Sequence, residues 1–209
     1  MKSYNEFCSV ARALDLVGDR WALLVVRELL LGPRRYTDLL DGLPGIGTNV
    51  LSTRLRELES AGVLERRRVP TPTPAVLYEL TDEGQELRAV LDALSRWGSR
   101  RLTRPTAEDV VEPRWFVRSL SANVDLGDLD PGTSVNLEID GQTFRLRVDE
   151  DDIIATDATN DPATATISGK LSDFFRASKG DQTTAQRFTI RGDRAAAKQF
   201  IRALTGAMG

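Results

Sequence analysis

The chain is expected to be α+β and to fold as two domains, and three observations predict this. Residues 1–101 carry apolar side chains at helical spacing, interrupted by glycine and proline pairs. Residues 102–113, LTRPTAEDVVEP, show no such period and read as a linker. Residues 114–209 change pattern: short runs of strand character come first and amphipathic helical stretches follow, the order of an α+β domain with a mainly antiparallel sheet of about five strands.

In the first domain, Phe7, Val10, Ala11, Leu14, Leu16 and Val17 begin an apolar helical face that Gly18 breaks. A second helix begins near Asp19, which is placed to cap it. Trp21, Leu24, Val25, Leu29 and Leu30 keep its spacing, and Gly32-Pro33 ends it. A short helix spans 36–43 and closes at Pro44-Gly45. Thr48 is a good N-cap for the next, over 49–61, which Gly62 stops. Residues 63–69 and 75–80 are strand-like around PTPTP, whose prolines cannot donate to a ladder and so require an open tip. Thr81 and Asp82 then cap a long helix to about residue 101, with Leu87, Val90, Leu91, Leu94 and Trp97 along one face. Three helices, a fourth, a hairpin and a last helix make a winged helix-turn-helix.

In the second domain, Asp140-Gly141 between VNLEI and TFRLRV is a strong signal for a tight hairpin. Further strands are expected at 153–156, 164–168 and 188–191. Helices are expected at 171–178 and 193–207, the latter capped at Gly192-Asp193.

Composition excludes a good deal. The 209 residues include no histidine and one cysteine. No Ser-His-Asp or Cys-His arrangement is available. No structural zinc site and no disulfide within the chain can form. No nucleophile–base pair stands out, so the chain is not expected to be an enzyme, and nothing calls for a cofactor. The acidic run at 149–152 lacks the ligand spacing of a calcium loop and reads as a solvated turn, so no metal is expected. MKSYNEF has no apolar signal core, and no apolar run approaches the roughly 18–20 residues of a membrane span. A cytoplasmic location without a membrane partner is the expectation.

Net charge is −3, yet the halves differ: the first 104 residues hold 16 basic and 14 acidic side chains, the rest 12 and 17. The segment GIGTNVLSTRLRELESAGVLERRR concentrates the basic groups. At about 100° per residue, Leu51, Leu55 and Leu58 share one face of its helix. Asn49, Thr53, Arg56 and Ser60 fall opposite, with Ser52 and Glu57 flanking them. A helix pinned by such leucines projects Asn49, Ser52, Thr53 and Arg56 near its start, where a recognition helix meets base edges in the major groove. Arg pairs with guanine and Asn with adenine through two bonds each. Free N–H groups from Thr48 onward suit a phosphate. Arg54 lies nearer the leucines and suits either a phosphate or a structural ion pair.

Arg66, Arg67 and Arg68 then end a strand. Alternation puts Arg66 and Arg68 on one side and Arg67 on the other, so all three cannot follow one phosphate line. Thr71 and Thr73 at the tip complete the candidate DNA-binding set. A solvated surface helix followed by a charged sheet edge would look similar. The two features in this order, one glycine apart, favour double-stranded DNA as the partner.

CSVARALDLVGDRWALLVVRELLLGPRRYTDLLDGLPGIGTNVLSTRLRELESAGVLERRR, followed by YELTDEG, resembles the HxlR family of winged helix-turn-helix regulators over about residues 8–101. That resemblance implies a homodimeric transcription factor whose first and last helices build the dimer. Leu87, Val90, Leu91, Leu94 and Trp97 suit dimerisation; packing on the domain's own core is the alternative. Cys8 stands where some members sense oxidants, one helical turn from Arg12; the alternative is a small buried helix residue, as free cysteine commonly is.

The C-terminal half, through VNLEIDGQTFRLRV, ATISGKLSDFF and FTIRGDRAAAKQFIRAL, is similar to the sterol-carrier-protein type-2-like domain. The resemblance implies an apolar tunnel for a lipid-like ligand. Trp115, Phe116, Leu146, Phe174, Phe175, Phe188 and Phe200 are its candidate lining, or simply a core. The function expected is a homodimeric, sequence-specific regulator on an inverted repeat, modulated by a small apolar ligand. The alternative is a lipid carrier whose N-terminal half only dimerises.

Overall fold

Glycines and prolines set the first helices of this computed structural model, which describes residues 3–70, 74–102, 105–127, 129–150, 152–159 and 161–208. Helix α1 (Ser9–Val17) stops at Gly18 and α2 (Ala22–Leu29) follows. Asp19 does not cap α2. The capping position belongs to Trp21 at φ 81, and the Asp19 carboxylate pairs with Arg54 instead. A left-handed backbone at a bulky residue costs roughly 1–2 kcal/mol. The Trp21 ring offsets this by packing on the core, with the Arg20 guanidinium 5.4 Å from its centroid.

Strand β1 (Arg34–Arg35) is too short to show a period in the sequence. It pairs antiparallel with β3 (Ala75–Leu80), Arg34 opposite Tyr78. Helix α3 (Tyr36–Asp41) leads to α4 (Thr48–Ser60), whose N-cap is Gly47, so Thr48 is the first helical residue rather than its cap. The hairpin β2 (Leu64–Val69) and β3 (Ala75–Leu80) completes a three-stranded sheet in the order β1-β3-β2. Helix α5 (Asp82–Ser99) starts at Thr81, whose hydroxyl oxygen accepts the Gly84 N–H at 3.0 Å, the bond expected of an N-cap.

The chain divides into two compact units, residues 1–91 and 92–209, so the division falls within α5. The core of the first unit collects Val25, Val26 and Leu29 from α2, Leu39 from α3, Leu51, Leu55 and Leu58 from α4, and Leu64 from β2. Leu87 and Leu91 of α5 pack against it.

In the second unit, the end of α5 hydrogen-bonds to α6 (Pro113–Asn123), a helix absent from the sequence expectation. Arg118 of α6 pairs with Asp92, both buried. Arg96 donates to the Ala122 carbonyl at 3.0 Å, and Ser95 and Ser119 share a bond at 3.1 Å. Residues 105–112 between these helices form neither helix nor strand.

Strands β4 (Ser134–Ile139), β5 (Gln142–Val148), β6 (Ile153–Asp157), β7 (Ala165–Gly169) and β8 (Thr189–Gly192) make one sheet in the order β6-β5-β4-β7-β8. Asp140 and Gly141, both at positive φ, form the primed turn expected between β4 and β5. The sheet is mixed: β4 and β7 run parallel while the other three pairings are antiparallel. The chain leaves β6 at the sheet edge and returns on the far side of β4, a crossing that local strand patterns do not encode. Helix α7 (Leu171–Ser178), a 3-10 turn at Gln182–Arg187 and α8 (Arg194–Leu204) complete the unit. Asp193 caps α8 through the N–H groups of Ala195 and Ala196.

Among the described residues, no helix is long and apolar enough to cross a membrane.

Candidate nucleic-acid interface

The leucine face of α4 fixes its orientation. Leu51, Leu55 and Leu58 are at most 2% exposed, and that leaves the opposite face to solvent. Thr48 and Asn49 are exposed in the first turn, Ser52 and Thr53 are half-buried behind them, and Arg56 is exposed one turn on. These side chains therefore stand together at the N-terminal end of the helix, where backbone N–H groups lack intrahelical partners and favour anions. Val50, 42% exposed, sits among them and had no part in the polar pattern read from the sequence.

Arg56 lies along its own helix. Its Nε reaches the Ser52 carbonyl at 3.3 Å and one terminal nitrogen reaches the Thr53 hydroxyl at 3.4 Å, both long bonds. Arg54 differs. It bridges Asp19 and Glu57, the latter at 2.6 Å, and its side chain is only 18% exposed. Of the two roles open to it, the structure places it in the ion pair that ties α4 to the turn before α2.

Tyr36 is a participant that sequence reasoning missed. Its hydroxyl donates to the Thr48 carbonyl at 2.8 Å and lies 3.2 Å from the Ser52 hydroxyl. An aromatic at the start of α3 reads as a core residue, and no local spacing links it to a helix twelve residues on.

On the wing, Arg66 bonds to Glu59 of α4 at 2.8 Å and Arg67 to Glu79 of β3 at 2.6 Å. In each case the hydrogen bond to the carboxylate, and then its charge, raises the arginine pKa further. Each of these bonds uses the arginine Nε, so a phosphate would meet the terminal N–H groups of a guanidinium whose charge is already faced by a carboxylate. Arg68 is exposed, with Val76 opposite it in register. Thr71 and Thr73 lie outside the described residues.

The remaining candidates distribute as follows. Leu87 and Leu91 are half-buried against the core, whereas Val90, Leu94 and Trp97 are each about half exposed. Cys8 is exposed at the start of α1. Arg12, expected beside its thiol, is engaged with Asp15 at 3.5 Å and with the Ser3 hydroxyl at 3.4 Å. In the second unit, Phe116, Leu146, Phe174, Phe188 and Phe200 are buried and Trp115 and Phe175 half-buried. The Phe174 ring centroid lies 4.5 Å from Phe188 and 6.4 Å from Phe116, the contacts of aromatic rings packed on one another. Clefts of about 330 and 610 Å³ open elsewhere in this unit, beside Leu129 and Arg202 and beside Glu138 and Lys170, and none of the seven residues lines either.

Residues 16–106 match the family model for the HxlR-like helix-turn-helix. The chain is similar to the uncharacterised HTH-type transcriptional regulator sll1512 of Synechocystis sp., 42% identical over 104 residues, covering 50% of this chain and 77% of that protein. It is 38% identical to the uncharacterised HTH-type transcriptional regulator YvaP of Bacillus subtilis over 46% of this chain and 89% of that one. The HTH-type transcriptional regulator YodB of B. subtilis is 33% identical over 46% and 87%. The solved structure of YodB in its reduced form aligns with a TM-score of 0.41 over 46% of this chain and 94% of that chain, at 32% identity.

Proposed function

Because the chain belongs to the HxlR-like helix-turn-helix family of transcriptional regulators, we propose that it binds a specific DNA sequence through the first two turns of α4, as a homodimer on an inverted repeat. The observation that carries this reading is the outward-facing set of exposed Asn49 and Arg56 with half-buried Ser52 and Thr53, at the start of a helix whose opposite face is fully buried. A major groove admits such a helix. Asn49 and Arg56 are the residues able to make two bonds to one base, with adenine and guanine respectively. Arg54 acts indirectly, by holding α4 to Asp19.

The wing supplies phosphate contacts. Arg68 is the first of these, since Arg66 and Arg67 already face Glu59 and Glu79. Arg68→Ala is expected to weaken binding by a similar factor on every sequence and to lower the slope of log K against log salt by about 1. Gel-shift titrations at several salt concentrations measure both quantities.

Dimerisation is supported by the exposed apolar side chains of α5, Val90, Leu94 and Trp97, which share one face of the helix. The second unit is proposed as an effector module for an apolar ligand on the strength of its sequence resemblance. Such a ligand acts only if it binds one arrangement of the dimer better than another. A lipid carrier that merely dimerises through its N-terminal half is not favoured, because the family match falls on the DNA-reading half.

The test is footprinting of the full chain on the DNA upstream of its own and neighbouring genes. Two protected half-sites, lost as salt rises, are expected. Fatty-acid binding without any protected DNA would contradict the reading.

A further inference from the structure

We propose that Tyr36 sets which bases Ser52 accepts, by fixing the direction in which the Ser52 hydroxyl donates. This rests on the reading of α4 as the recognition helix. Tyr36 lies on α3, and its hydroxyl sits 2.8 Å from the Thr48 carbonyl and 3.2 Å from the Ser52 hydroxyl. A carbonyl has no proton, so the phenol proton goes to Thr48. The phenol oxygen is left with lone pairs only, so in the 3.2 Å hydrogen bond between the two hydroxyls the serine is the donor. The order of donation is Ser52 to Tyr36 to the Thr48 carbonyl.

The consequence falls on the solvent side of Ser52. A serine hydroxyl has one proton and two lone pairs. Its proton is directed inward, to Tyr36, so it meets a base as an acceptor only. In the major groove, acceptors match the exocyclic amines of adenine and cytosine. They do not match the N7 and O6 of guanine or the O4 of thymine, which are themselves acceptors. A serine without such a partner reads either kind. Tyr36 thus acts as a positioning residue that converts an ambivalent hydroxyl into a selective one, and it touches no base itself. The three groups lie in the first unit, so the arrangement belongs to the DNA-reading half alone.

The test is a base-by-base binding profile of the full chain on a duplex library, for the wild type, Tyr36→Phe, Ser52→Ala, the Tyr36→Phe/Ser52→Ala double variant and Arg56→Ala, with the melting temperature of each. Wild type is expected to prefer an amine-bearing base at one position by roughly 2- to 10-fold, the range of one neutral hydrogen bond. Tyr36→Phe removes that preference, leaves the other positions unchanged, and adds nothing in the Ser52→Ala background. Equal weakening on all sequences by Tyr36→Phe would assign it a purely structural role and overturn the inference. An unchanged Tyr36→Phe profile beside an altered Arg56→Ala profile would overturn the inference alone. If neither Ser52→Ala nor Arg56→Ala changes the profile, α4 is not the recognition helix and the relay falls with that reading.

Discussion

Arg56→Ala should cost about 1–3 kcal/mol of affinity for the preferred DNA sequence, concentrated at one base position. The expected loss is in recognition rather than folding. Arg56 is exposed, and the bonds it makes in the free protein are a 3.3 Å contact to a carbonyl and a 3.4 Å contact to a hydroxyl of its own helix. Both atoms remain hydrated when it is removed, so the unfolding midpoint should stay within about 0.5 kcal/mol of wild type. A guanidinium placed against guanine O6 and N7 makes two charge-assisted bonds that no alanine replaces. At 1.4 kcal/mol per factor of ten, the preferred duplex weakens by roughly 5- to 150-fold, while duplexes lacking that guanine weaken far less. A competition titration over the base variants of one half-site reads this directly. A uniform loss would move Arg56 to the phosphate group with Arg68.

The second large effect concerns the other unit. Asp92→Ala should destabilise it by about 3–5 kcal/mol, because the change removes the carboxylate that faces the buried Arg118 guanidinium. Side-chain exposures of 6% for Arg118 and 10% for Asp92 put this pair well inside the protein. Arg118 also donates to the Ser121 hydroxyl at 3.1 Å, which holds the guanidinium along its own helix. Urea unfolding followed by tryptophan fluorescence is a suitable probe, since Trp115 adjoins Arg114 in the same helix and is half-buried. The paired replacement Asp92→Leu with Arg118→Met should recover most of the loss, as removal of both charges abolishes the desolvation term. Equal destabilisation by the single and the paired replacement would show that packing volume, not charge, sets the cost.

The elements that carry a local period were legible in the sequence. The spacing of Leu51, Leu55 and Leu58 fixed the buried face of α4, and with it the outward set at its start. Asp140-Gly141 and Asp193 announced a hairpin turn and a helix cap, because each acts on its immediate neighbours. What stayed hidden depends on pairs far apart in the chain. Asp19 looked like a helix cap, but a carboxylate 35 residues from Arg54 found a stronger partner there, and Trp21 took the capping position. The charges of Arg66 and Arg67 were plain, whereas their carboxylates on α4 and β3 were not. Helix α6 begins at Pro113, the last residue of the expected linker. Its arginines at positions 114 and 118 hid the spacing of Phe116, Val117 and Leu120, because each is buried beside a carboxylate rather than solvated. The parallel pairing of β4 with β7 likewise depends on where the chain crosses, not on the composition of either strand.

Whether α4 reads DNA sequence is measured by selecting duplexes with the full chain from a random pool, repeated at several salt concentrations. Enrichment of an inverted repeat is expected, with half-site centres about one helical turn, roughly 10 base pairs, apart. Affinity should fall linearly in log K against log salt. A pool that stays random, or binding indifferent to salt, would contradict the reading of α4 as the recognition helix.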